Sequence, residues 1–320
     1  MMALPSGATR RKAAASNGIP AQAYLTNQER EPMPNPRISY QMSNDRKLIS
    51  PPSGRPLIVH MVVNVENWRF DQAMPRKIIT APHGAESVPD IPNYSWAEYG
   101  MRSGMPRILD LFKTRHIPAS TAVNAGVIEA YPSCAEAMLK AGWEFVGHGM
   151  HQKSMQAENN EAELIQASLE MLKDFTGAKT RGWLSPGLKE TEDTPDILKS
   201  LGIEYLCDWV VDDLPSWMTT KHGPLLSMPY NLEVNDSIIY AVEKHATGEM
   251  YNRFRNTVAA FEKELDQNPR VLAIGLHPHL IAVPHRFGEL ERMVDDLLAR
   301  DDAVFMTGSQ ICDWFTEADA

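Results

Sequence analysis

From residue 57 onward, short apolar runs alternate with amphipathic stretches, the rhythm of repeated β-α units around a parallel sheet. The apolar runs predict strands at 57–64, 119–123, 143–147, 182–184, 205–208, 271–276 and 303–306. Helical periodicity occupies 105–115, 133–141, 160–174, 194–201, 248–267, 287–300 and 308–317. Thr194 before Pro195 reads as an N-cap followed by a first-turn proline, and Gly202 as a helix stop. Seven such alternations favour a barrel over an open sheet. Two stretches break the rhythm: 68–98, rich in proline, reads as a long loop, and 209–243 as loop plus strands. Long loops in compact domains commonly carry function, so these two are the expected walls of a pocket.

Residues 1–50 are rich in Pro, Asn, Gln, Arg and Ser and lack sustained periodicity, which predicts a flexible or subunit-wrapping arm ahead of a barrel domain at 51–320. A length of 320 residues suits one α/β barrel with an extension. The net charge of -10 argues against nucleic acid or an anionic membrane as partner. The apolar run at 57–63 is far shorter than the roughly 20 residues of a membrane span. Arg10, Arg11 and Lys12 have no apolar run behind them, unlike an export signal. Cys134, Cys207 and Cys312 form no CxxC pair, so neither a disulfide framework nor a thiolate zinc site is indicated, and a reducing cytoplasm is the expected location.

Unusual polar clusters fall at the carboxyl ends of the predicted strands, where α/β barrels place their active sites. The first strand ends in Val63-Asn64-Val65-Glu66-Asn67-Trp68; a partly desolvated Glu66 would serve as a general base, and a loop glutamate in water gives the same pattern. Gly147-His148-Gly149-Met150-His151-Gln152 follows the third strand, and two imidazoles three apart bind a metal when a carboxylate joins them; loop histidines are otherwise commonly solvated. Arg181 to Gly187 and Cys207 to Asp213 contribute an arginine able to orient a base and tryptophans able to wall a pocket, or else an ordinary ion pair and ordinary core. The sixth predicted strand delivers His277-Pro278-His279, and imidazole is the side chain best poised to protonate a leaving nitrogen near neutral pH. The sequence has no GxSxG elbow, Walker loop, GxGxxG after a strand or HExxH helix, which removes the usual support for serine hydrolases, nucleotidases, dinucleotide enzymes and zincins.

In this order the clusters resemble the polysaccharide deacetylase (NodB-homology, carbohydrate esterase 4-like) superfamily, most closely its allantoinase-like and cyclic-imide-hydrolase branch, over about 45–318. Asn64 to Asn67 stands where that family carries Thr-Phe-Asp-Asp, which makes Glu66 the counterpart of the catalytic base and Asn67 that of a metal-binding aspartate. His148 to Gln152 matches the family's His-x-x-x-His motif, with Gln152 in place of the second histidine. Arg181 to Thr191 is similar to the Arg-x-x-Pro-Gly motif, Asp208 to Asp213 to the aspartate-tryptophan motif, and His277 to the late catalytic histidine. Tyr99-Gly100-Met101-Arg102-Ser103-Gly104 is similar to a segment of the allantoinase-like branch.

The resemblance implies a distorted (β/α)7 barrel that hydrolyses a small cyclic amide, imide or ureide. Glu66 would activate water, His277 would protonate the departing nitrogen, His148 would polarise the carbonyl or orient water, and Arg181 would hold Glu66. Trp68, Arg102, Trp183, Trp209, Asp213, Trp217 and His279 are the expected substrate contacts. Two of three expected metal ligands are amides, so the cofactor is either none or a single divalent metal such as zinc, in a rearranged set of Glu66, His148 and His151. Removal of an N-acetyl group from a sugar polymer is the competing activity, and a non-catalytic binding protein on a decayed deacetylase fold the third reading. A homo-oligomer, dimer or tetramer, is expected from the relatives.

Overall fold

The computed structural model describes residues 35–80 and 87–320. All seven predicted strands are present: β1 (Leu57–Val65), β2 (Ser120–Val123), β3 (Glu144–Gly147), β4 (Gly182–Trp183), β5 (Tyr205–Leu206), β8 (Arg270–Leu276) and β9 (Ala303–Phe305). The stretch at 209–243 supplies the hairpin β6 (Ser216–Thr220) and β7 (Gly223–Ser227). The sheet runs β6-β7-β5-β4-β3-β2-β1-β8, with β9 beside the first half of β1, and every pairing but β6-β7 is parallel. It curls, but among the described residues no ladder joins β8 to the hairpin, so the barrel is distorted and unclosed; only an Asn235–Gly275 bridge spans that side.

Parallel strands covered on both faces should be apolar throughout, and β1 is buried along its whole length. Its side chains still divide by period two. Leu57, Val59, Met61, Val63 and Val65 pack outward under helices, whereas Ile58 and Val62 pack into the barrel with Tyr205, Val271 and Ala273. Polar residues on the inner phase are satisfied: His60 Nε2 lies 2.9 Å from Ser120 Oγ, and Asn64 donates to the Tyr230 hydroxyl at 2.8 Å.

The helices are α1 (Ile91–Tyr99), α2 (Met105–Thr114), α3 (Val127–Ala130), α4 (Pro132–Lys140), α5 (Glu161–Thr176), α6 (Thr194–Ser200), α7 (Glu249–Phe261), α8 (Pro284–Leu298) and α9 (Gly308–Ala318). Helix α1 lies inside the proline-rich stretch expected to be loop. Asp90 caps it by accepting from the Asn93 N–H, and Pro92 falls in the first turn, where its missing N–H costs nothing. A π-turn over Gly100–Gly104 joins α1 to α2, pressed against the His277–His279 turn so closely that a Cβ on Gly100 would lie 2.5 Å from the His279 backbone nitrogen. Of the predicted arm, 1–34 lies outside the described residues. The remainder packs on the barrel wall, with Ile38 and Ile49 buried and Arg37 and Arg46 paired to Asp196 and Asp212. No helix among the described residues is long and apolar enough to cross a membrane.

Candidate active site

The inner phase of three strands continues past their carboxyl ends and brings three side chains to one mouth. Glu66 follows Ile58, Val62 and Asn64; His148 follows Val146; His277 follows Val271 and Ala273. The register Val63 to Leu276 sets the ends of β1 and β8 level, which puts Glu66 and His277 within reach of each other.

Glu66 Oε1 lies 3.5 Å from His277 Nε2, and Glu66 Oε2 accepts from the Trp68 indole N–H at 2.6 Å. On its other side, His277 Nδ1 is 2.6 Å from Asp236 Oδ1, while Asp236 Oδ2 accepts the backbone N–H groups of His277 (2.7 Å) and Ile281 (3.2 Å). Burial alone would raise the Glu66 carboxyl, but the His277 hydrogen bond and the nearby imidazoles outweigh it and hold the pKa down at about 2. Burial alone would lower His277, yet the charges and hydrogen bonds of Asp236 and Glu66 push it up to about 9. At neutral pH the pair is therefore a carboxylate facing an imidazolium.

His148 is held differently. Its Nδ1 lies 2.5 Å from the Leu184 carbonyl oxygen, which can only accept, so the proton sits on Nδ1. Burial pushes the group below its ordinary pKa despite the upward pull of Glu66, leaving Nε2 as a buried lone pair with no hydrogen-bond partner among the described residues. Gln152 Oε1 and His279 Nε2 are likewise buried and without a hydrogen-bond partner among the described residues. His279 is pushed down to about 3 by burial and packs edge-on against Trp68 (5.4 Å between ring centres) and Trp96 (4.6 Å). A cavity of about 350 Å3 opens onto Glu66 and Trp68, walled by Pro75 and Arg76 from one loop and by Gln152, Pro186 and Lys189 from two others.

Of the residues singled out from sequence, Glu66, Trp68, His148, His277 and His279 come together here. Arg181 does not: it stands before β4, at the opposite end of the barrel, bound to Glu204 (2.6 Å) and Asp313 (2.5 Å), and Trp68 takes the role of orienting Glu66. Trp183 points outward as fully buried core and packs on Gly147, where any Cβ would lie 2.5 Å from its ring. Asp213 also lies at the far end, its carbonyl accepting from Val271 at the start of β8. Trp217 is 39% exposed on the edge hairpin and donates to Asp319. Arg102 is turned to solvent and paired with Glu98. Trp209 donates to Glu190, next to the wall residue Lys189, and touches the cavity only through that neighbour. Asp236, Trp96 and Arg76 went unassigned by sequence reasoning, and Gln152 was read only as the replacement of a metal-motif histidine; for Asp236 the one available signal was a polar Asn235-Asp236-Ser237 set in an apolar run.

The side chains at the metal-motif positions do not fit a zinc site. Asn67 and Gln152 offer amide oxygens, weak ligands beside carboxylate or imidazole, and Asn67 Nδ2 lies 3.2 Å from His151 Nδ1. The rearranged set of Glu66, His148 and His151 is not assembled either: among the described residues no group of three or more His, Cys, Asp or Glu is placed to hold a metal ion.

A family profile described as Polysaccharide deacetylase matches residues 94–206, which span β2 to β5 and include His148 but neither Glu66 nor His277. A Schizosaccharomyces pombe protein named as a polysaccharide deacetylase is 28% identical over 234 residues, covering 67% of this chain and 73% of its own length. Among solved structures, a Pseudomonas aeruginosa PAO1 protein named as a polysaccharide deacetylase superimposes with a TM-score of 0.75 at 26% identity, covering 82% of this chain and 92% of its own. The PuuE allantoinase superimposes equally well, with a TM-score of 0.75 at 26% identity over 85% of this chain and 97% of its own.

Proposed function

We propose that this chain, which belongs to the polysaccharide deacetylase superfamily and so hydrolyses carbon-nitrogen bonds other than peptide bonds, opens the ring of a small cyclic amide, imide or ureide. The observation that carries the reading is the buried Asp236–His277–Glu66 chain, whose Glu66 end lines a small cavity beside Gln152, an amide at a metal-motif position. A water seated between Glu66 and the ring carbonyl gives its proton to the carboxylate while its oxygen bonds to the carbonyl carbon. The imidazolium Nε2–H of His277 then passes its proton to the ring nitrogen as the C–N bond breaks, and Asp236 stabilises the imidazolium beforehand. His148 Nε2, an acceptor in this tautomer, orients the water or a ring N–H rather than polarising the carbonyl, and Gln152 Oε1 offers a second acceptor beside it.

The test is a panel of succinimides, hydantoins and N-acetylglucosamine oligomers, assayed before and after chelation with metal content measured on the same sample. Ring opening by the wild type that survives chelation and disappears in Glu66→Gln is the expected result. Hydrolysis of acetylated amino-sugar oligomers with no turnover of any ring would favour the second reading, N-deacetylation, which the family profile and the deacetylase-named relatives support.

A further inference from the structure

The wall of the cavity is charged in one sense. Beside Glu66 its ionisable lining is Arg76, Lys153 and Lys189. Lys153 is paired with Glu158 at 3.1 Å, but neither Arg76 nor Lys189 makes an ion pair among the described residues. Glu66 does not neutralise them, because its carboxylate is already occupied by Trp68 and His277. Asp236 is likewise taken up by His277 and two backbone N–H groups. Glu190, next to Lys189 in sequence, is pushed up by burial and the neighbouring Asp208, and its carboxyl is taken up by the Trp209 indole N–H.

Arg76 is also pre-positioned. It stands in the loop after Trp68, half-buried, with Nη1 donating to Ser237 Oγ, one residue from the Asp236 that holds His277. A guanidinium has five N–H donors in a planar fork, and among the described residues this single bond leaves the rest of the fork unused. A carboxylate is the group whose two oxygens match that fork. A cavity of about 350 Å3 has room for a five- or six-membered ring with a short acidic arm.

We propose that the substrate carries a carboxylate, received by the Arg76 guanidinium with Lys189 alongside, so that anionic rings are opened in preference to neutral ones. This rests on the ring-opening reading above. A charge-assisted contact of this kind sets the expected preference at roughly 10- to 100-fold in kcat/KM. The experiment compares hydantoin-5-acetic acid with its methyl ester in the wild type, Arg76→Gln, Arg76→Lys and Lys189→Met. The acid-to-ester ratio should collapse toward one in Arg76→Gln, recover in part in Arg76→Lys, and fall less in Lys189→Met. An ester opened as well as the acid by the wild type, or a ratio unmoved by Arg76→Gln, overturns the proposal.

A binding arm needs no turnover. By calorimetry the wild type should bind succinate at least about tenfold tighter than succinamide, with the difference lost in Arg76→Gln. Equal binding of the two overturns the anion site. Preferred binding of succinate by an enzyme that opens no ring upholds the anion site while removing the ring-opening reading, so the two failures are told apart.

Discussion

Replacing Asp236 by Asn keeps the shape of the side chain and removes the charge that sustains the His277 imidazolium. In the wild type, His277 stands at about 9 although burial pulls it down, and Asp236, at 2.6 Å, is the strongest upward influence. Without that charge, burial should carry the group down toward its ordinary 6.5 against the remaining pull of Glu66, a loss of up to roughly 3 kcal/mol of interaction with the imidazolium. If protonated His277 is the acid, the consequence depends on pH. At pH 8 the protonated fraction falls from about nine-tenths toward about three-hundredths, a loss of up to roughly 30-fold, whereas at pH 6 the loss is less than about twofold. The readouts are the alkaline limb of kcat/KM for ring opening and, independently of any substrate, the titration of the His277 ring protons by NMR. An alkaline limb and an NMR titration the same in both proteins would refute the assignment of Asp236 and His277 as a coupled pair.

Other outcomes follow from the same geometry. Glu66→Gln retains an acceptor for Trp68 but cannot take a proton, so kcat should drop by roughly a hundred- to ten-thousand-fold in steady-state assays, with the fold intact by circular dichroism. Arg181→Ala breaks two partly exposed ion pairs far from the mouth; it should cost no more than about 1 kcal/mol in urea unfolding and change activity less than about twofold, and a hundredfold loss would restore it as the group holding Glu66. Gly147→Ala drives a methyl into the fully buried Trp183 ring, at 2.5 Å, and should destabilise by about 1–3 kcal/mol in the same unfolding assay. The Glu66–His277 pair adds stability that is complete between the unfolded values of 4.5 and 6.5. That stability is lost as pH rises through about 9, where His277 deprotonates, and as pH falls through about 2, where Glu66 protonates. The melting-temperature difference between wild type and a Glu66→Gln, His277→Gln double variant should therefore be greatest inside that window.

The alternation of apolar runs and amphipathic stretches was enough to place every predicted strand, because a doubly covered parallel strand must be apolar and a half-covered helix must be striped. The same local rule made three of the site residues legible: Glu66, His148 and His277 each follow a short apolar strand, and the period of two that orders a strand's side chains carries them onto its inner face. Helix α1 was hidden because prolines suggest a loop unless the Asp90 cap that accommodates one of them is recognised. Arg181 and Asp213 show the limit of the same reasoning: each stands in a motif-bearing segment, but position along a strand decides which end of the barrel a side chain reaches. Asp236 lies 41 residues before His277, at the N-cap of a π-turn, and its one local mark, the polar Asn235-Asp236-Ser237 set in an apolar run, does not say which side chain it reaches. The sequence by itself therefore determined which strands exist and which side chains face inward, since those depend on neighbours one or two residues away. Only the tertiary structure decided that Asp236 supports His277 and that Arg76 closes the wall, because both are contacts between segments that meet only when the sheet curls, and that Arg181 lies at the far end of the barrel, which leaves Glu66 to its chain neighbour Trp68.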